Sequence, residues 1–142
     1  MSLTNLSFAN VLFAALLLAS FAGKQVQADQ NVDLNSCVST ADNQIEVEED
    51  EAGNPAPSPA CLTAVAGSEI NWQQANAKEF KIKFVKHSGG QCNDSADDDG
   101  KEHDSNNGKL KKKGPSRAGC FHYRIKFKGG EWIDPVIVIR PN

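Results

Sequence analysis

The sequence predicts an all-β protein, an antiparallel Greek-key β-sandwich of about seven short strands. Three observations carry this. Phe80-Lys81-Ile82-Lys83-Phe84 and Tyr123-Arg124-Ile125-Lys126-Phe127 alternate apolar and basic residues with period two, the pattern of a half-buried strand. Beyond the first 28 residues no stretch repeats its apolar residues with helical spacing. The short apolar runs are separated by Gly, Pro, Asn and Asp, the residues that accept turn conformations.

The elements follow in order. Val11 to Gly23 is an uncharged apolar run of thirteen residues, shorter than the ~20 that a bilayer span requires. Small residues follow it, and Val26-Gln27-Ala28 fits a signal-peptidase site. Residues 1–28 therefore read as a secretory signal peptide, which predicts a secreted or periplasmic protein with no membrane span after signal removal. Residues 29–142 read as a single β-sandwich domain, long enough to bury a core. Lys24 is the only charged residue of 1–28, so its loss moves the formal charge from -3 to -4. That mild acidity favours neither nucleic acid nor an anionic membrane as partner.

Gln44-Ile45-Glu46-Val47-Glu48 predicts the first strand. Asn54 to Pro59 carries three prolines and reads as a connection, because proline has no ladder donor. Cys61 to Val65 predicts a short strand, Gly67-Ser68 a turn, and Glu69 to Trp72 the beginning of the next strand. Residues 87–119 hold almost no apolar residue and read as one long polar loop that cannot offset its own ordering entropy. Lys128-Gly129-Gly130-Glu131 fits a tight hairpin. Glu131 to Arg140 predicts the last strand, with Asp134-Pro135 imposing a bulge or an edge position, and Val136 to Ile139 buried on both faces.

The four cysteines, Cys37, Cys61, Cys92 and Cys120, read as a disulfide framework in an exported chain. Three pairings are open. The sequential one, Cys37–Cys61 with Cys92–Cys120, is preferred; it closes two loops of about 25–30 residues and staples the ends of the polar loop. No CxxC is present, so the signatures of a thioredoxin-like motif and of a zinc ribbon are missing.

Two stretches resemble a known family. "AVAGSEINWQQANAKEFKIKF" and "CFHYRIKFKGGEWIDPVIVIRPN" resemble exported bacterial cupredoxin-like domains, plastocyanin-type β-sandwiches, over roughly residues 60–142. Immunoglobulin-type sandwiches share much of the pattern. The resemblance implies the fold and raises the question of a copper site. A type 1 site uses two His, a Cys thiolate and usually an axial Met. His87 stands about where the family's first His does, and Cys120-Phe121-His122 supplies a Cys and a second His. The departures are that one residue separates Cys120 from His122, that Met1 is the only methionine, and that Cys120 precedes the penultimate strand rather than the last. The expectation is therefore a domain lacking a complete copper site and carrying no cofactor, with a metal or redox carrier using His87, Cys120 and His122 as the alternative.

Other chemistry has weaker signals. Asp94, Asp97, Asp98 and Asp99 could bind calcium weakly, but the stretch lacks the first Asp and the final Glu of an EF-hand loop. Lys109 to Arg117 holds five basic residues and could contact a polyanion, although the acidic block upstream can neutralise it. Trp72 and Trp132 on one exposed face would make a carbohydrate-binding module. No GxSxG, HExxH or phosphate-cradling glycine loop occurs. The sequence thus predicts a non-enzymatic interaction or structural module with an unknown protein or glycan partner.

Overall fold

The computed structural model describes residues 33–87 and 92–142; the expected signal peptide, residues 1–28, lies outside them. Nine strands form two facing sheets among the described residues: β1 (Gln44–Glu49), β2 (Pro55–Ser58), β3 (Cys61–Val65), β4 (Glu69–Gln73), β5 (Phe80–Val85), β6 (His103–Asp104), β7 (Lys109–Lys113), β8 (Gly119–Phe127) and β9 (Val136–Arg140). One sheet has the order β2-β1-β4-β7 and the other β3-β9-β8-β5-β6. The architecture is the expected β-sandwich. Both sheets are mixed, because β1 runs parallel to β4 and β3 parallel to β9.

The period-two strands place their apolar residues as the alternation requires. Ile45 and Val47 from β1 and Ile70 and Trp72 from β4 face Phe80, Ile82, Phe84, Phe121, Tyr123, Ile125 and Phe127 across the sandwich. The Trp72 and Tyr123 rings meet edge to face at 5.7 Å between centroids. β9 lies between β3 and β8, which explains its apolar run, buried at Val136, Ile137 and Ile139.

Three sequence expectations are corrected. First, Pro55–Ser58 is a strand, pairing antiparallel with β1 through Val47↔Pro57 and Glu49↔Pro55. It is an edge strand, where a residue without an N–H is tolerated at alternate positions. Second, residues 87–119 are not one unstructured loop. β7 closes the first sheet against β4, β6 extends the second against β5, and Cys92, Ala96 and Ser105 are buried. Third, the last strand begins at Val136; residues 131–135 leave the regular ladder and stay bonded to β8 through the isolated bridge Ile125↔Ile133, the Tyr123 N–H to Pro135 O bond at 3.1 Å and the Arg124 Nε to Asp134 Oδ1 bond. Asp134-Pro135 therefore marks a bulge beside a central strand, not a sheet edge.

The segment before and through β7 is seated by backbone bonds. Ser105 N–H donates to Phe80 O at 2.9 Å, Gln74 N–H to Gly108 O at 2.7 Å and Gly114 N–H to Ser68 O at 2.9 Å. Gly108 has φ +67° and its Cα lies against Ala77, where a Cβ would come within 2.7 Å of the Ala77 Cα. Leu110 is the only apolar residue of β7, and it packs against the core. One inward apolar residue among four lysines is too little periodicity to mark a strand.

Candidate functional site

Both disulfides close on the outer face of the five-stranded sheet. Cys37 bonds to Cys61 and Cys92 to Cys120, so the described chain holds no free cysteine. Along β8, Phe121 and Tyr123 point into the sandwich and Cys120 and His122 point outward. The four cysteines pack with Val136 and Val138 into a second small apolar cluster on that outer face. Two disulfides of this kind suit an oxidising compartment.

His87 and His122 come together, as the sequence-level metal alternative requires. Their rings are 4.7 Å apart between centroids and inclined by 32°. His122 is 9% exposed and its Nδ1 is enclosed without a hydrogen-bond partner. Burial, and then the neighbouring His87, hold the His122 pKa below its ordinary value against the opposing pull of Asp134. Asp134 is engaged elsewhere: its Oδ1 accepts from Arg124 Nε at 2.6 Å.

The third member of that alternative is lost. The Cys120 sulfur is bonded to Cys92, and a type 1 copper needs a thiolate. The bend before β9, residues 128–135, holds neither His nor Cys, and Met1 is the only methionine. The residues do not fit a type 1 copper ion.

The aspartates serve the fold of the 92–117 segment. Asp94 Oδ2 accepts the Cys120 N–H at 2.9 Å, and Asp97 Oδ2 accepts the Ser116 N–H at 3.0 Å. Asp98 Oδ2 lies 2.6 Å from both His103 Nε2 and Lys112 Nζ. Burial alone would raise the Asp98 pKa; the bonds from Lys112 and His103 outweigh it and hold the carboxyl below its ordinary value. Lys112 points inward with its side chain 16% exposed, and its ammonium lies 5.5 Å from the centre of the Phe84 ring. Asp94, Asp97 and Asp98 thus turn to separate partners rather than to one cation, and Asp99 is exposed. Among the described residues no three His, Cys, Asp or Glu side chains are grouped to hold a metal ion. The latch of Asp98, His103 and Lys112 has no signature in the sequence, since its members are spread over three loosely patterned stretches.

Trp72 and Trp132 share no face. Trp72 is 1% exposed in the core, which corrects the paired-tryptophan reading. Trp132 lies on the outside, flanked by Lys83 and Lys126 whose ammonium groups stand 4.4 and 4.6 Å from its ring centres.

The outer face of the four-stranded sheet carries what sequence reading missed. The acidic block engages Lys112 and, through Ser95 O at 2.8 Å, Arg117. Lys109, Lys111 and Lys113 remain exposed in a row along the edge strand β7. Lys111 and Glu69 approach to 3.7 Å with side chains 71% and 56% exposed, a pair worth under about 1 kcal/mol. Beside this row lies a concavity of about 560 Å³ lined by Asp42, Asn43, Gln44, Glu69, Asn71, Gln73 and Lys111. Asn71 Nδ2 donates to Asp42 O at 2.6 Å. The sequence signals for this surface are the basic run Lys109 to Arg117 and the amides at alternate positions of β1 and β4, Gln44, Asn71 and Gln73.

No protein-family model matches the chain, and no curated protein does. Among solved structures it is similar to a purple cupredoxin from Nitrosopumilus maritimus, at 18% identity and TM-score 0.46, over 70% of this chain and 100% of that one. It is similar to the oxidised plastocyanin of Dryopteris crassirhizoma at 16% identity and TM-score 0.43, over 68% and 99% of the two chains. It is also similar to a reduced Cu(I) amicyanin variant at 13% identity and TM-score 0.44, over 71% and 86%. Likeness of this degree brings no copper chemistry to this chain, whose own side chains decide that question. Among the described residues no helix is long and apolar enough to cross a membrane.

Proposed function

We propose that the chain is an exported, non-enzymatic binding module, secreted or periplasmic after loss of residues 1–28, whose mature domain is 29–142. Its contact surface is the outer face of the sheet β2-β1-β4-β7, and its partner is an anionic glycan. The observation that supports this reading is the polar concavity beside β7, which Gln44, Asn71 and Gln73 line together with Lys111. Amides offer a donor and an acceptor in one planar group, which suits hydroxyls. The row of Lys109, Lys111 and Lys113 suits carboxylates or sulfates. The same lysines also discourage edge-to-edge pairing of β7, so the test must separate binding from solubility. The mature protein is passed over immobilised heparin and polygalacturonate at about 0.1 M salt, where charge attraction between exposed groups is still felt. Binding that weakens with salt and disappears in a Lys109→Glu/Lys111→Glu/Lys113→Glu variant that still folds supports the proposal. Equal retention of the wild type and this variant, or of neither, refutes it.

A further inference from the structure

The outer face of the sheet β2-β1-β4-β7 is divided by charge. β1 presents Glu46 and Glu48 outward, β7 presents Lys109, Lys111 and Lys113, and all five are exposed. β4 lies between these two strands. Its outward amides stand in register with both columns: Asn71 with Gln44 and Lys111, Gln73 with Glu46 and Lys109. Neighbouring strands are about 4.8 Å apart, so the acidic and basic columns stand about 9–10 Å from each other. No ion pair crosses between them among the described residues; Lys111 instead approaches the exposed Glu69 of β4 at 3.7 Å. An anionic ligand answers the lysines and is repelled by the glutamates. A second copy of the same face answers both.

We propose that this face pairs with the same face of a second copy of the chain, about a two-fold axis that runs along the strands over β4. Charge selects the axis. A two-fold running across the strands lays lysines over lysines. A two-fold running along them reverses the order of the columns, so Lys109, Lys111 and Lys113 lie over the glutamates of the second copy, and symmetry makes the reverse contact at the same time. Glu46 and Lys109 stand in one row, both in register with Gln73, and so oppose each other across the interface. Along the axis Asn71 and Gln73 meet their own counterparts; an amide carries donors and an acceptor in one planar group and pairs with another amide. Glu69 is also on β4, and the Lys111 beside it offsets its charge. Exposed charges of this kind set orientation and encounter more than affinity, so the dimer is weak and salt loosens it. Pairing covers the three lysines and thereby masks the proposed glycan face. That consequence rests on the glycan reading; the pairing itself does not.

The test measures the mass of the full mature chain in solution by sedimentation equilibrium, with both disulfides intact, at salt from about 0.02 M to about 0.5 M. The expected result is a dimer at low salt and protein concentrations below about 1 mM, with self-association at least about tenfold weaker at the high-salt end. Glu46→Lys/Glu48→Lys makes the face basic on both sides, and Lys109→Glu/Lys111→Glu/Lys113→Glu makes it acidic on both sides. Each variant alone stays monomeric, and an equal mixture of the two forms a one-to-one dimer. Loss of folding cannot produce that rescue. Should either variant fail to fold, the salt dependence of the wild type and the loss of its self-association in Glu46→Gln/Glu48→Gln decide. A wild type that is monomeric at every salt, self-association indifferent to salt, assemblies larger than two, or a mixture of folded variants that stays monomeric overturns the proposal. A short heparin fragment splits the wild-type dimer if the masking holds. A dimer that heparin leaves intact overturns the masking alone, and a dimer that forms although immobilised heparin retains nothing overturns the glycan reading alone.

Discussion

Replacing both members of the second disulfide, Cys92→Ala/Cys120→Ala, tests how this domain is held together. The bridge spans 28 residues, so the loop-entropy relation gives about 12 cal/mol/K, or about 3.6 kcal/mol at 25 °C, of stabilisation through the unfolded chain. Cys92 is 2% exposed in the cluster with Cys61 and Val136, and removing its sulfur leaves a small void costing about 1 kcal/mol more. The expected loss is about 4–5 kcal/mol, from the 5–15 kcal/mol typical of a domain. In a chain of this length that lowers Tm by about 15–20 °C. The assay is urea and thermal unfolding of the oxidised proteins, with slopes compared to confirm that the transition stays cooperative. The bridge Cys37–Cys61 spans 24 residues, and the same relation gives about 3.5 kcal/mol for it. Cys37→Ala/Cys61→Ala should therefore cost nearly as much, although its native surroundings differ. A loss below about 1 kcal/mol for the first variant would refute the reasoning. A large loss for one bridge and none for the other would place the stabilisation in native contacts instead of chain entropy.

Asp98→Asn removes the charge that His103 and Lys112 share and should cost about 1–2 kcal/mol at pH 7, read from urea midpoints. Because folding lowers the Asp98 pKa, its contribution is full above the ordinary carboxyl value of 3.8 and fades as pH falls through the lower folded value. The stability gap between wild type and variant should therefore close only below about pH 4; a gap that has already closed at pH 5 would refute the assignment to Asp98. Gly108→Ala should cost more than about 1 kcal/mol, from its positive φ and the Ala77 backbone beneath it, and an unchanged Tm would contradict the packing of β7 on β4. Trp72→Ala should cost about 3–5 kcal/mol, since this ring is 1% exposed against Tyr123. Burial pushes the Tyr123 pKa far upward against the opposing pull of the Trp72 indole, so alkaline difference spectra of the folded protein should show no tyrosinate below pH 11.

Deleting residues 94–115 to ask whether that segment binds a partner does not isolate binding. The deletion removes β7 and with it the edge of the first sheet beside Trp72, so unfolding and lost binding would look alike. Charge reversal on Lys109, Lys111 and Lys113 keeps the backbone pairing and leaves Leu110 and Lys112 facing inward.

The amino-acid sequence by itself determined the strands whose apolar residues alternate. Phe80–Phe84 and Tyr123–Phe127 have only one way to bury three large side chains on one face, and they became β5 and the second half of β8. It also determined the apolar central strand at Val136 to Ile139 and favoured the sequential disulfides, which close two short loops. Tertiary structure decided the remainder. β2 and β7 are strands because β1 and β4 offered them ladder partners: Pro55–Ser58 has poor strand propensity and Lys109–Lys113 a single apolar residue. Asp98, His103 and Lys112 met because β6 and β7 docked on opposite sheets near one end. His87 and His122, 35 residues apart in the chain, became neighbours through the antiparallel register of β5 and β8. Local periodicity fixes which face of a strand is apolar; which polar groups meet depends on register and sheet order, which are properties of the assembled sandwich.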